Sequence, residues 1–255
     1  MTLIVSLASA AACTASSSSG HRSAGRALGP ATSEASAETT PTDASSDSQS
    51  LAPTALSSVF ARAQGEQVDV YASASSFQTV QRLPSPNRDG SPAVFLLTGS
   101  HSHDRVQVQL PERPNGSTGW LDRTQIDLYT NPYRLVVQVG AHRLQEFDAG
   151  QLVETDPVGI GRGVTPTPTG TYYLTELLQP PNVNGVYGPY AYGLSAYSPV
   201  LTDFAGGPGQ IGLHGTNDPA GVGTDVSHGC IRVANGVITR LAHNVPPGTP
   251  ISIDQ

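Results

Sequence analysis

The sequence contains no lysine: all 13 of its basic residues are arginines. They form no stripe along the chain, and the formal net charge is −7, which excludes a basic surface suited to nucleic acid. Charged residues amount to only 13% of the chain, and there is a single tryptophan. Cysteine is scarce as well. Cys13 and Cys230 are the two present, too few and too differently placed for a disulfide framework. The longest apolar run, Leu3 to Ala12, is too short to remain as a membrane-spanning helix.

Glycine and proline are plentiful, at 27 and 21 among 255 residues. Such a composition favours turns and short strands over long helices, and the length suffices for one medium domain with a smaller companion. The expected class is therefore mostly β.

Residues 1–13 read as a leader. Leu3 to Ala12 resembles the core of a secretory signal, although the basic residues that usually precede such a core are absent, which places the expected start of translation further upstream. Cys13 follows Ala10-Ala11-Ala12 and resembles a lipoprotein attachment cysteine; ordinary cleavage after Ala10 or Ala12 is the alternative. The expected location is outside the cytoplasmic membrane, secreted or held at its outer face through a lipid on Cys13, with no other membrane contact. Residues 14–54 are rich in Ser, Ala, Thr and acids and poor in large apolar side chains. They cannot bury enough surface to offset their ordering entropy and read as a disordered tether.

Residues 55–130 read as a small β-domain. Gln67 to Tyr71 and Arg105 to Leu110 alternate polar and apolar, as half-buried strands do, and Ala93 to Leu97 has the pattern of a buried one. Asn115-Gly116 signals a turn before Gly119-Trp120-Leu121, an ending that resembles bacterial SH3-like barrels. Trp120 is expected in the core of that barrel, with wall binding as its other use. Residues 131–255 read as a second, mostly β unit. Strands are expected around Leu135–Val139, His142–Phe147, Val153–Ile160, Thr171–Leu177, Gln210–Leu213 and Pro250–Ile253. Thr165-Pro166-Thr167-Pro168-Thr169-Gly170 reads as a stiff turn. One helix is expected after Cys230, with Asn235 as its N-cap, Val237, Ile238 and Leu241 on its apolar face, and Pro246-Pro247-Gly248 ending it.

Chemistry concentrates in Gly212-Leu213-His214-Gly215-Thr216 and Ser227-His228-Gly229-Cys230-Ile231-Arg232. Two histidines and the only thiol of the body fall within 17 residues, with a flexible glycine just before the thiol. A free thiol is about 3% thiolate at pH 7; a neighbouring imidazole raises that fraction or takes the proton during attack. Cysteine with histidine is thus a minimal kit for attack on a carbonyl, and amides beside Gly229 could hold the oxyanion. Spacing leaves the choice of base open. His228, two residues before Cys230, would share its face in a strand, whereas His214 comes from another segment. Asn217, Asp218, Asp225 or a backbone carbonyl could orient the imidazole.

The order His-Gly-Thr, about a dozen residues, then Ser-His-Gly-Cys-Ile-Arg resembles the signature of L,D-transpeptidases of the YkuD type. The resemblance extends over residues 132–253, including the Pro168-Thr169-Gly170 turn and the closing Gly-Thr-Pro strand. It implies a β-sandwich or barrel catalytic domain with one packed helix, following the SH3-like barrel. It also implies Cys230 as nucleophile, His214 as general base and acid, and Ser227, His228 and Gly229 as site-shaping residues, with the Gly229 and Cys230 amides as oxyanion hole. Arg232, Thr216 and Tyr197 are candidate substrate contacts. The implied reaction is transfer of a peptidoglycan tetrapeptide stem through a Cys230 thioester to the side-chain amine of a second stem, giving a 3→3 cross-link. Water or another amine as acceptor would give carboxypeptidation or attachment instead. No metal or other cofactor is required, and carbapenem β-lactams are implied as acylating inhibitors.

Other readings stand beside this one. His214, His228 and Cys230 could ligate zinc with a water in the fourth position. A wall peptidase or amidase could use the same pair, although its cysteine usually precedes its histidine. A non-enzymatic wall-binding protein would depend on the first unit alone. Tyr187, Tyr190, Tyr192 and Tyr197 form either a lid or a loop packed by its own rings.

Overall fold

A computed structural model describes residues 56–87, 89–204 and 206–255. The leader, Cys13 and the tether up to residue 55 lie outside the described residues. What is described falls within one compact unit, Ser48–Gln255, built from two sheets and a helix.

The first sheet has seven strands. They are β1 (Ser58–Ala63), β2 (Gln67–Tyr71), β3 (Thr79–Pro84), β4 (Val94–His101), β5 (Arg105–Gln109), β6 (Thr118–Asp122) and β7 (Ile126–Asn131), in the spatial order β3-β2-β6-β5-β4-β1-β7. Alternation dictates which face is covered: Val68 and Val70 of β2, and Val106 and Val108 of β5, point into one apolar core with Leu121. Trp120 departs from expectation. It pairs with Tyr71 and Gln107 on the opposite face and is only half-buried. Leu121 takes the inward position, and a period of two leaves its neighbour facing outward.

The second sheet has eight strands: β8 (Tyr133–Gln138), β9 (Arg143–Asp148), β10 (Gln151–Pro157), β12 (Gly170–Leu178), β13 (Ala191–Tyr197), β14 (Gln210–His214), β16 (Ile231–Arg232) and β17 (Pro250–Asp254), in the order β10-β9-β8-β17-β12-β13-β14-β16. A small parallel pair joins β11 (Ile160–Gly161) to β15 (Asp225–Ser227). Leu135, Leu174, Leu194, Leu213 and Ile231 are fully buried in its core, each contributing about 1.5–3 kcal/mol by leaving water. Helix α1 (Asn235–Asn244) packs Ile238 and Leu241 into the same core. Asn235 is not its N-cap. Ala234 holds that position, and the Asn235 side chain instead accepts the Thr216 N–H at 2.8 Å. A tertiary donor has taken the oxygen that sequence assigns to the helix end.

The sheets meet through a third apolar cluster of Phe60, Val94, Leu96 and Tyr173. Gly248 belongs to the same junction: a β-carbon there would fall 2.5 Å from the Phe60 ring. Polar bonds flank the cluster, from Asn131 Nδ2 to Thr249 Oγ1 at 2.7 Å and from Gln109 Nε2 to the Thr171 carbonyl at 2.7 Å.

Candidate active site

Strand pairing brings the two sequence motifs together. β14 runs parallel to β16, with Leu213 opposite Ile231 and His214 opposite Arg232. Cys230 therefore emerges beside Gly212, whose N–H points at Sγ at 3.4 Å. Gly212 is also the common neighbour of thiol and imidazole: a methyl group on it would lie 3.7 Å from His214 Cδ2 and 3.9 Å from Cys230 Sγ. Both side chains line one cavity of about 460 Å³, walled in part by Tyr187, Tyr192, Phe204 and Pro208.

His214 is buried at the end of β14. Its Nδ1–H donates to the Gly215 carbonyl at 2.6 Å. A carbonyl can only accept, so the proton sits on Nδ1 and Nε2 carries the lone pair. The orienting partner is thus this carbonyl; Asp225 is committed to His142 at 2.8 Å. Burial, reinforced by the Arg232 charge, pushes His214 down to about 4, against the opposing pull of the Gly215 carbonyl. Burial likewise pushes the half-buried Cys230 thiol up, while the Gly212 N–H and Arg232 act the other way. At neutral pH the resting pair is a neutral thiol and a neutral imidazole.

The cysteine loop is braced by buried hydroxyls. Ser227 Oγ donates to the Cys230 carbonyl at 2.6 Å and accepts the Gly229 N–H at 3.0 Å. Thr167 Oγ1 donates to the Gly229 carbonyl at 2.9 Å and accepts the Gly161 N–H at 2.9 Å, and Thr165 Oγ1 reaches the Ser227 carbonyl at 3.4 Å. Gly229 has φ of +120°, and a β-carbon would meet Ile211 Cδ1 at 3.0 Å; glycine is required there.

Two sequence expectations change. His228 and Cys230 do not share a strand face, because the chain bends at Gly229. His228 is exposed and stacks on Phe204, ring centroids 5.2 Å apart. The Gly229 amide, one of the expected oxyanion pair, is already held by Ser227 Oγ. The other candidates are placed as follows. Arg232 has a buried Nε with no hydrogen-bond partner among the described residues, and its charge acts on both His214 and Cys230. Thr216 is buried, its hydroxyl bonded to the backbone of Asp218. Tyr197 lies at the junction of the sheets, its hydroxyl donating to the Pro111 carbonyl at 2.6 Å.

The tyrosines disperse rather than form one lid. Tyr187 sets its edge against the His214 ring at 4.9 Å, Tyr190 faces His243, and Tyr192 is buried with its hydroxyl on the carbonyls of Leu241 and Val245. Among the described residues no group of three or more His, Cys, Asp or Glu converges in a way that could hold a metal. Sequence reasoning missed Thr165 and Thr167, which it took as part of a stiff turn, and Phe204, which carries no motif.

Comparison with known proteins gives the following. A model of the L,D-transpeptidase catalytic domain (YkuD) matches residues 132–253. The "Putative L,D-transpeptidase YkuD" of Bacillus subtilis (strain 168) is 36% identical over 129 residues, which cover 51% of this chain and 70% of that protein. The "Probable L,D-transpeptidase ErfK/SrfK" of Escherichia coli (strain K12) is 34% identical over 133 residues, 47% of this chain and 43% of that one. Among solved structures, Bd1075 of Bdellovibrio bacteriovorus matches at 32% identity and a TM-score of 0.39, covering 48% of this chain and 47% of that one.

Proposed function

The chain belongs to the L,D-transpeptidase family, and from that premise we propose that it transfers peptidoglycan tetrapeptide stems through a thioester on Cys230. The observation that carries the reading is that Cys230 Sγ and the His214 ring both neighbour Gly212 and line one cavity.

In this mechanism Sγ attacks the carbonyl carbon that joins the third stem residue to D-Ala, and the thiol proton passes to His214 Nε2. A thiol pushed up and an imidazole pushed down favour transfer during attack over a preformed ion pair. The Cys230 N–H receives the developing oxyanion. The carbon–nitrogen bond then breaks, the imidazolium gives its proton to the departing D-Ala amine, and the thioester remains. The side-chain amine of a second stem attacks the thioester, Nε2 accepts the amine proton, and the proton returns to the departing thiolate. The product is a 3→3 cross-link. The Arg232 charge acts on both reacting groups, disfavouring the imidazolium and favouring the thiolate. Carbapenems acylate Cys230 in the same way, their strained ring replacing the scissile amide. The seven-stranded sheet is read as an SH3-like companion module, and the site of action as the wall outside the cytoplasmic membrane.

The test is incubation of wild type and Cys230→Ala with a disaccharide-tetrapeptide, followed by mass spectrometry of protein and products. An adduct and released D-Ala with wild type only are expected, together with a cross-linked dimer. Absence of adduct and D-Ala in a folded wild-type sample would overturn the reading.

A further inference from the structure

The cavity that holds Cys230 has two walls of different origin. One is the cysteine loop. The other is the connection between β13 and β14, residues 198–209, which contributes Phe204, Pro208 and Gly209 to the lining. This connection closes on itself at its base, where the Ser198 N–H donates to the Gly209 carbonyl at 2.8 Å. Gly209 has φ of +73°, and a β-carbon there would fall 1.9 Å from the Leu201 carbonyl oxygen. At its tip Phe204 packs on His228, so the wall also touches the residue two before the nucleophile.

What grips this wall comes from the other sheet. The turn between β5 and β6 carries Arg113, and its guanidinium bonds both arms of the connection. Nη1 donates to the Ser198 carbonyl at 2.7 Å, and Nη2 donates to the carbonyls of Leu201 at 3.0 Å and Pro208 at 3.1 Å. The guanidinium carbon also stands 5.3 Å from the Tyr197 ring centroid. Asn115, two residues on, reinforces the contact: its Nδ2 donates to the Tyr197 carbonyl at 2.9 Å, and its Oδ1 accepts the Tyr197 N–H at 2.8 Å. A planar fork with fixed donors suits three carbonyls at fixed angles; an ammonium on a flexible stem does not reproduce it.

We propose that Arg113 is a positioning residue for substrate capture: it holds the 198–209 connection, and through Phe204 it sets the mouth of the Cys230 cavity. The inference rests on the transpeptidase reading for its substrate, a stem peptide, and on geometry alone for the clamp. It makes the N-terminal sheet a functional part of the active site. Because the cysteine loop is braced by Ser227, Thr165 and Thr167 and not by Arg113, loss of the clamp spares Cys230.

The test uses the full chain, a disaccharide-tetrapeptide donor and two variants, Arg113→Ala and Arg113→Lys. In both, KM for D-Ala release is expected to rise by about tenfold, with a smaller change in kcat and with the rate of Cys230 alkylation by iodoacetamide unchanged. Added guanidinium ion at non-denaturing concentration is expected to restore part of the loss in Arg113→Ala. Amide hydrogen exchange is expected to quicken in residues 198–209 and stay constant in residues 225–232. An unaltered KM with unaltered exchange overturns the clamp. A rise in KM accompanied by a parallel loss of alkylation rate and melting temperature also overturns it, since that outcome marks general support of the fold. If wild type releases no D-Ala, the transpeptidase reading fails on this donor, and hydrogen exchange decides the clamp independently.

Discussion

The two walls of the Cys230 cavity are held by opposite means. The cysteine loop is fixed by small, neutral, buried hydroxyls of Ser227, Thr165 and Thr167, all from the part of the chain that follows the seven-stranded sheet. The opposing 198–209 wall is fixed by one long, charged side chain from the N-terminal sheet, Arg113, which is itself exposed. A short side chain with few rotamers places a nucleophile finely, because little freedom remains to be lost. A long arginine spans two sheets and bonds several carbonyls at once. The comparison teaches that the loop carrying Cys230 is braced locally, while the opposite wall of its cavity is held from the other sheet.

The largest expected effect is on the nucleophile itself. Cys230→Ala should abolish the thioester and reduce D-Ala release to background, a loss of at least about 10³-fold, measured by product mass spectrometry with folding checked by circular dichroism. Next comes the bend beside it. Gly229→Ala forces a β-carbon into a φ of +120° and against Ile211, at a cost of about 1–3 kcal/mol. Denaturant unfolding should register that cost, and acylation should fall even at temperatures where the variant is folded.

Thr167→Val sharpens the contrast between the walls. It keeps the shape and removes a hydroxyl that serves both Gly229 and Gly161. Two buried backbone groups lose their partner, so about 2 kcal/mol of stability should go. Alkylation of Cys230 should change with it, which is the reverse of the expectation for Arg113→Ala.

A smaller effect follows from pH. His214 is pushed down to about 4 from an ordinary 6.5. Between those values the unfolded chain binds a proton that the folded chain refuses, so stability should fall as pH drops from 6.5 toward 4. The Cys230 thiol is pushed up from 9.0. The unfolded chain therefore releases its proton first, and stability should fall as pH rises above 9.0. Denaturation midpoints of wild type and His214→Gln compared across pH should show the acid slope reduced in the variant. The rate of alkylation by iodoacetamide should still be climbing at pH 9. The smallest effect is expected at a surface pair. Arg82 reaches Asp69 at 2.7 Å but is largely exposed, and Arg82→Ala should cost at most about 0.5 kcal/mol and leave KM unchanged. An arginine without an active-site wall in its grip is the control for Arg113.

The sequence by itself determined the mostly β character, because alternation in stretches such as Gln67–Tyr71 and Arg105–Gln109 is a local signal that survives folding. It also made the candidate residues visible, since a lone thiol two positions after His228 and next to Gly229 needs no tertiary knowledge to be noticed. It misplaced Trp120 and the Asn235 cap, where one outward position and one tertiary donor overrode local preference. Only the tertiary structure decided the rest. Which imidazole shares a cavity with the thiol followed from the pairing of β14 with β16. What orients it was a backbone carbonyl, invisible to any residue pattern. The threonine hydroxyls that brace the cysteine loop come from 62 residues away, and the arginine that grips the opposite wall from 85 to 95. Contacts at such separations arise from sheet order and register. They depend on the whole set of apolar faces finding their partners, and no single stretch of the chain encodes them.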